Sequence, residues 1–140
     1  MYRLAASLAL LVLLLFAHVG DHVLRQDVTV ALELTGLGLM GQLVTMVALG
    51  LALIAHPHAP LVALATGAAT TVGFVAVHVL PRWGILSLPY AEYDPGALSW
   101  TLMLAPAVAG VWVAIEGLRL ERPSLTSGAG RDSSVGRAHD

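Results

Sequence analysis

The chain contains no cysteine, which rules out disulfides, thiolate nucleophiles, thiolate metal ligands and a lipoprotein anchor. Charge is nearly as scarce: charged residues make up 11% of the 140, and all seven basic residues are arginine. With a formal net charge of -2 and no basic stripe, nucleic acid is excluded as a partner. A Walker loop, a GxSxG elbow, an HExxH motif and a dinucleotide fingerprint are also missing. Gly36, Gly38 and Gly41 have the spacing of that fingerprint, but they lie inside a hydrophobic span rather than after a strand, so they read as a helix-packing groove.

What the chain does have is hydrocarbon. A hydrophobic content of 57% and a mean hydropathy of +0.80 lie far outside the range of a soluble globular domain and make the lipid bilayer its solvent. Lipid is as apolar as leucine, so packing must hold the helices together. The expected fold is all-α, an antiparallel four-helix transmembrane bundle with spans at about 4–24, 28–55, 61–80 and 98–118. A disordered tail is expected at 121–140, where the composition turns to Ser, Gly, Arg and Asp. The first span resembles a secretory signal, but no small-x-small cleavage site follows Ala17 and more spans come after it, so it reads as retained.

The few polar residues carry the signal. His18, Asp21 and His22 stand at i, i+3 and i+4, so they leave one helix face within about one turn. Glu33 is the one acid of the second span, and His78 closes the third. His18 is seven residues from Arg25, Glu33 six from Asp27 and His78 four from Arg82, which places all three roughly 6–10 Å inside one membrane boundary. Arginines at positions 3, 119, 122, 131 and 137 outnumber those at 25 and 82. That bias predicts an inner-membrane protein with cytoplasmic termini and an outward-facing polar layer.

Histidine nitrogens and carboxylate oxygens suit zinc, iron, copper or manganese when no thiolate is present. His18, Asp21, His22, Glu33 and His78 are therefore the candidate ligands, one carboxylate binding and the other orienting a histidine. The blander account has Asp21 and Glu33 pairing with Arg25, Arg82 or the histidines as interfacial glue, and it weighs about as much. Proton handling and haem ligation by His18 and His78 are further alternatives. His56 and His58, in a turn that carries two prolines, read as solvated turn residues, and His139 falls in the tail.

Elsewhere, Ala65, Ala69 and Gly73 form a small-residue stripe, and Trp83, Tyr90, Tyr93 and Trp100 an aromatic belt at one interface. Pro106 leaves the Leu102 carbonyl without its helical donor. Ser99 is expected to cap the last helix, and Glu116 to pair with Arg119.

The segment His78-Val-Leu-Pro-Arg-Trp-Gly, followed by Ser87-x-x-Tyr90 and Ala97-Leu98-Ser99-Trp100, resembles a pattern in small four-helix membrane proteins of bacteria. The resemblance implies a polytopic inner-membrane protein and carries no activity or site residues with it. The function expected is a metal site in a small membrane protein. The alternative is a non-enzymatic accessory subunit that docks a membrane partner, or a second copy, through its small-residue faces.

Overall fold

The computed structural model describes residues 1–26 and 30–129, with side chains as far as Glu121. Over the described residues the protein is an all-α bundle of four long apolar helices: α1 Tyr2–Arg25, α2 Leu32–Leu53, α3 Ala59–Phe74 and α4 Ala97–Ala129. Each is long and apolar enough to cross a bilayer, α3 together with the turn that extends it to Val79. Among the described residues many large apolar side chains stay exposed, including Leu13, Leu37, Val72 and Val108, the pattern expected of surfaces that face lipid.

The core begins with a stripe on α1. Leu4, Leu8, Leu11 and Leu15 recur at helical spacing and are buried against Ala48 and Ala52 of α2, Ala59 and Ala63 of α3, and Ala109 and Val113 of α4. One long leucine from α1 thus meets short side chains from the other helices, which lets the backbones close in around it. His18 and His22 continue the same stripe toward the end of α1, His18 fully buried and His22 partly.

The tightest packing joins α3 and α4. A methyl group on Gly67 would strike the Gly110 carbonyl and the Ala114 amide, and one on Gly117 would come 2.8 Å from the Leu64 amide. Thr71 Oγ1 donates to the Ala107 carbonyl on the facing helix at 3.0 Å. Pro60 lies beside Gly117 and Thr71 beside Gly110, so α3 and α4 run in opposite directions. So do α1 and α4, with Arg3 at Glu116 and Asp21 at Ser99.

Several local expectations change. The packing face of α3 is Pro60, Ala63 and Gly67, whereas Ala65 and Ala69 are exposed and Gly73 meets no neighbour. A methyl group added at Gly20, Gly36, Gly38 or Gly41 would likewise meet no other part of the described chain within 4 Å. Spacing alone cannot say which of several small-residue faces a neighbour will choose. Helix α2 begins at Leu32 rather than near 28, and its buried residues, Thr45, Ala48 and Ala52, all lie in its second half. Helix α4 continues to Ala129 past the expected end of its span. The tail beyond it, including His139, lies outside the described residues, as does Asp27.

Candidate metal centre

Two devices at the end of α3 position His78. The last turn, Val75–Val79, widens to a π-helix in which the Leu80 amide donates to the Val75 carbonyl, and since Pro81 has no N–H the Ala76 and Val77 carbonyls lack their usual helical donors. The loop that follows supplies donors for them. Trp83 Nε1 donates to the Ala76 carbonyl at 2.7 Å, and the Leu88 amide to the Val77 carbonyl at 2.8 Å. The Leu88 carbonyl then faces His78 Nδ1 at 3.2 Å. A carbonyl can only accept, so Nδ1 carries the proton and Nε2 keeps its lone pair.

Each of His18, His22 and His78 offers one ring nitrogen within 4.8 Å of the others. Ring centroids are 4.6 Å apart for His18 and His22, 5.1 Å for His18 and His78, and 5.6 Å for His22 and His78. Among the described residues, three buried side-chain polar atoms have no hydrogen-bond partner, and two of them are the Nδ1 atoms of His18 and His22. The His18 ring also lies against the Leu102 carbonyl, the acceptor that Pro106 leaves free. The proline therefore has a visible consequence at the cluster.

The two acids stand apart from this triad. Asp21 is buried and committed elsewhere: Arg25 Nη1 donates to Oδ1 at 3.2 Å and Gln26 Nε2 to Oδ2 at 2.6 Å. The Ser99 hydroxyl donates to the same carboxylate, so Ser99 binds Asp21 from the first turn of α4 rather than capping that helix. Glu33 is exposed in the first turn of α2, which buries nothing at that end, and has no partner among the described residues. Three of the five candidate residues are thus brought together, with Asp21 beside them and Glu33 outside. His56 Nδ1 accepts from the His58 amide at 3.2 Å within its own turn, as a turn residue does. A haem between His18 and His78 is excluded, because rings 5.1 Å apart and nearly perpendicular, with Phe74 4.8 Å from His18, leave no slot for a macrocycle.

Sequence reasoning missed how Tyr90 is used. Instead of joining an interfacial belt it is wholly buried, 4.8 Å from His78 and 5.4 Å from Trp100 between ring centroids. Its hydroxyl lies 3.3 Å from His22 Nε2 and accepts from Gln26 Nε2 at 3.2 Å. Burial pushes the Tyr90 and Tyr93 hydroxyls above the usual phenol range, so both stay protonated at neutral pH. The signal available was the run Ser87-Leu88-Pro89-Tyr90, too apolar for a solvated loop, and all four residues are buried. Glu92, by contrast, is exposed and accepts from Arg82 Nε at 2.9 Å, closing the loop from outside. That contact raises the Arg82 pKa through hydrogen bonding and charge.

Searches against protein-family models, curated proteins and solved structures give no match.

Proposed function

We propose that this membrane protein holds a transition-metal ion on His18, His22 and His78. The observation that carries the reading is the pair of orphaned Nδ1 atoms of His18 and His22 in one cluster. A buried polar group without a partner costs about 1–3 kcal/mol, so two on neighbouring rings form a deficit that a metal ion would convert into bonds. His78 supports the same arrangement, because its bond to Leu88 leaves Nε2 free and fixes the ring in the way that outer partners orient metal-binding histidines. Three imidazoles without thiolate or carboxylate favour zinc, copper or iron over manganese. Tetrahedral bonds of ~2.1 Å separate nitrogens by ~3.4 Å, so ring nitrogens within 4.8 Å of one another would have to close by at most about 1.4 Å.

A proton path through the bundle has less support. Among the described residues, the buried interior between the triad and Glu116 is mostly apolar, Leu8, Leu11, Leu15, Met103 and Val113, and its buried polar members, Ser7, Thr45 and Thr66, are hydroxyls rather than titratable groups. Taking the arginine bias to set the termini in the cytoplasm, the triad belongs to the outer side of the inner membrane.

Elemental analysis of the purified native protein tests the proposal, with about one metal ion per chain expected and its absence overturning the reading. Tyr90→Phe, which removes the hydroxyl beside His22 Nε2, is expected to weaken metal binding roughly tenfold in a competition titration. An unchanged affinity would exclude Tyr90 from orienting His22.

A second reading, an accessory subunit, is favoured by the α2 glycines that meet nothing in their own chain. Cross-linking from Leu37 in native membranes tests it: capture of a partner helix supports docking, and a lone monomer overturns it.

A further inference from the structure

The opposite end of the bundle carries a second arrangement, unrelated to the histidines. Glu116 is buried, its side chain 8% exposed, and it joins two arginines that are 75% and 61% exposed: Arg3 Nη2 at 3.8 Å and Arg119 Nη1 at 2.8 Å. Carboxylate inside and guanidinium groups outside is the reverse of a simple solvated ion pair. Each guanidinium has five N–H donors in a fixed fork, so one shared carboxylate oxygen leaves most of them directed away from the protein. Glu121, the other described acid at this end, is half-buried and engaged in an interaction of its own.

Two apolar grooves run from this pair into the membrane-spanning region. One, of about 260 Å³, lies between α1 and α4 and is lined by Ala6, Leu10, Ala109 and Trp112. The other, of about 500 Å³, follows α4 along Val108, Val111 and Ile115. Arg3 and Trp112 border both. Trp112 stands seven residues before Arg119, so the grooves reach about 10 Å below the guanidinium groups. An occupant must therefore present an anion at the boundary and hydrocarbon beneath it. A free phosphate leaves the grooves empty, and a zwitterionic lipid brings its own cation against the two guanidinium groups.

We propose that Arg3 and Arg119 form an anionic-phospholipid site, the headgroup phosphate accepting from the two guanidinium groups and acyl chains lying in the grooves beside Trp112. Basic pockets at the ends of packed membrane helices recognise headgroups in this way, and arginine matches phosphate oxygens with paired donors. Glu116 occupies one donor of each guanidinium group and so competes with the phosphate for them.

The test is native mass spectrometry of the full chain in detergent, titrated separately with phosphatidylglycerol, phosphatidylcholine and inorganic phosphate. Phosphatidylglycerol is expected to bind at least about tenfold more tightly than phosphatidylcholine, and inorganic phosphate at millimolar concentration is not expected to displace it. Arg3→Gln with Arg119→Gln should abolish the preference, whereas Arg82→Gln at the other end should leave it intact. Glu116→Gln, nearly isosteric, should strengthen the preference by releasing donors, which a purely structural role for the pair would not produce. Equal binding of the two lipids by the wild-type protein overturns the proposal whatever the variants do. Displacement by inorganic phosphate overturns it in favour of a free-anion site.

Discussion

Protein carrying His18→Leu together with His22→Leu is expected to bind the metal at least about 100-fold more weakly, since losing two direct ligands must exceed the 10–100-fold cost of disturbing an outer partner. Its metal-free form is expected to be as stable as the wild type or more so. The two leucines extend the stripe of Leu4, Leu8, Leu11 and Leu15, and they remove the two Nδ1 atoms that are buried without a partner. Removing an unsatisfied buried group recovers its desolvation cost. The two signs separate binding from folding: metal content read by elemental analysis falls, while the thermal midpoint of the metal-free protein holds. Full metal retention by this variant would end the metal reading, and a large loss of metal-free stability would show that the rings serve packing. His56→Ala with His58→Ala, in the turn at the other end, is expected to change neither quantity.

Gly67→Ala is expected to have the largest effect on the fold. The added methyl would strike the Gly110 carbonyl and lie 2.6 Å from the Ala114 amide, and both of these are backbone atoms that cannot rotate away. The helices must separate, and the 3.0 Å bond from Thr71 to the Ala107 carbonyl one turn along lengthens with them. Overpacking of this kind costs typically 1–3 kcal/mol, and a rigid backbone contact belongs at the upper end, about 3 kcal/mol. The thermal midpoint of the metal-free protein in detergent should fall by about 10 °C. Gly36→Ala and Gly41→Ala supply the contrast, because nothing lies within 4 Å of either position. There alanine should gain up to about 1 kcal/mol from helix propensity. Equal effects at Gly67 and Gly41 would contradict the packing described.

The sequence was most informative where one physical constraint acts on a long stretch. Four spans follow from hydropathy, because a bilayer demands some 20 apolar residues per crossing. The pairing of Glu116 with Arg119 was legible from their spacing of three. The common depth of His18 and His78 followed from counting residues back to the boundary arginines, since a helix rises by a fixed amount per residue. Depth does not fix azimuth, however. Glu33 counts to a similar depth and still lies outside the cluster, because the half of α2 that carries it buries no side chain. The same limit hid which glycines pack within the chain. Gly67, Gly110 and Gly117 sit where two backbones cross, whereas Gly36, Gly38 and Gly41 have a better pattern and no neighbour.

By itself, then, the sequence determined four helices apolar and long enough to cross a membrane and a layer of histidines at one end, since each depends on composition or on distance along one helix. Only the tertiary structure decided which polar residues meet. It placed His78 in a π-turn and fixed its proton by the Leu88 carbonyl. It also drew Tyr90 from the loop onto His22, and gave Asp21 to Arg25, Gln26 and Ser99 instead of to the histidines. Those choices depend on rotation about each helix axis and on a loop folding back over the bundle, and both are set by contacts between segments far apart in the chain.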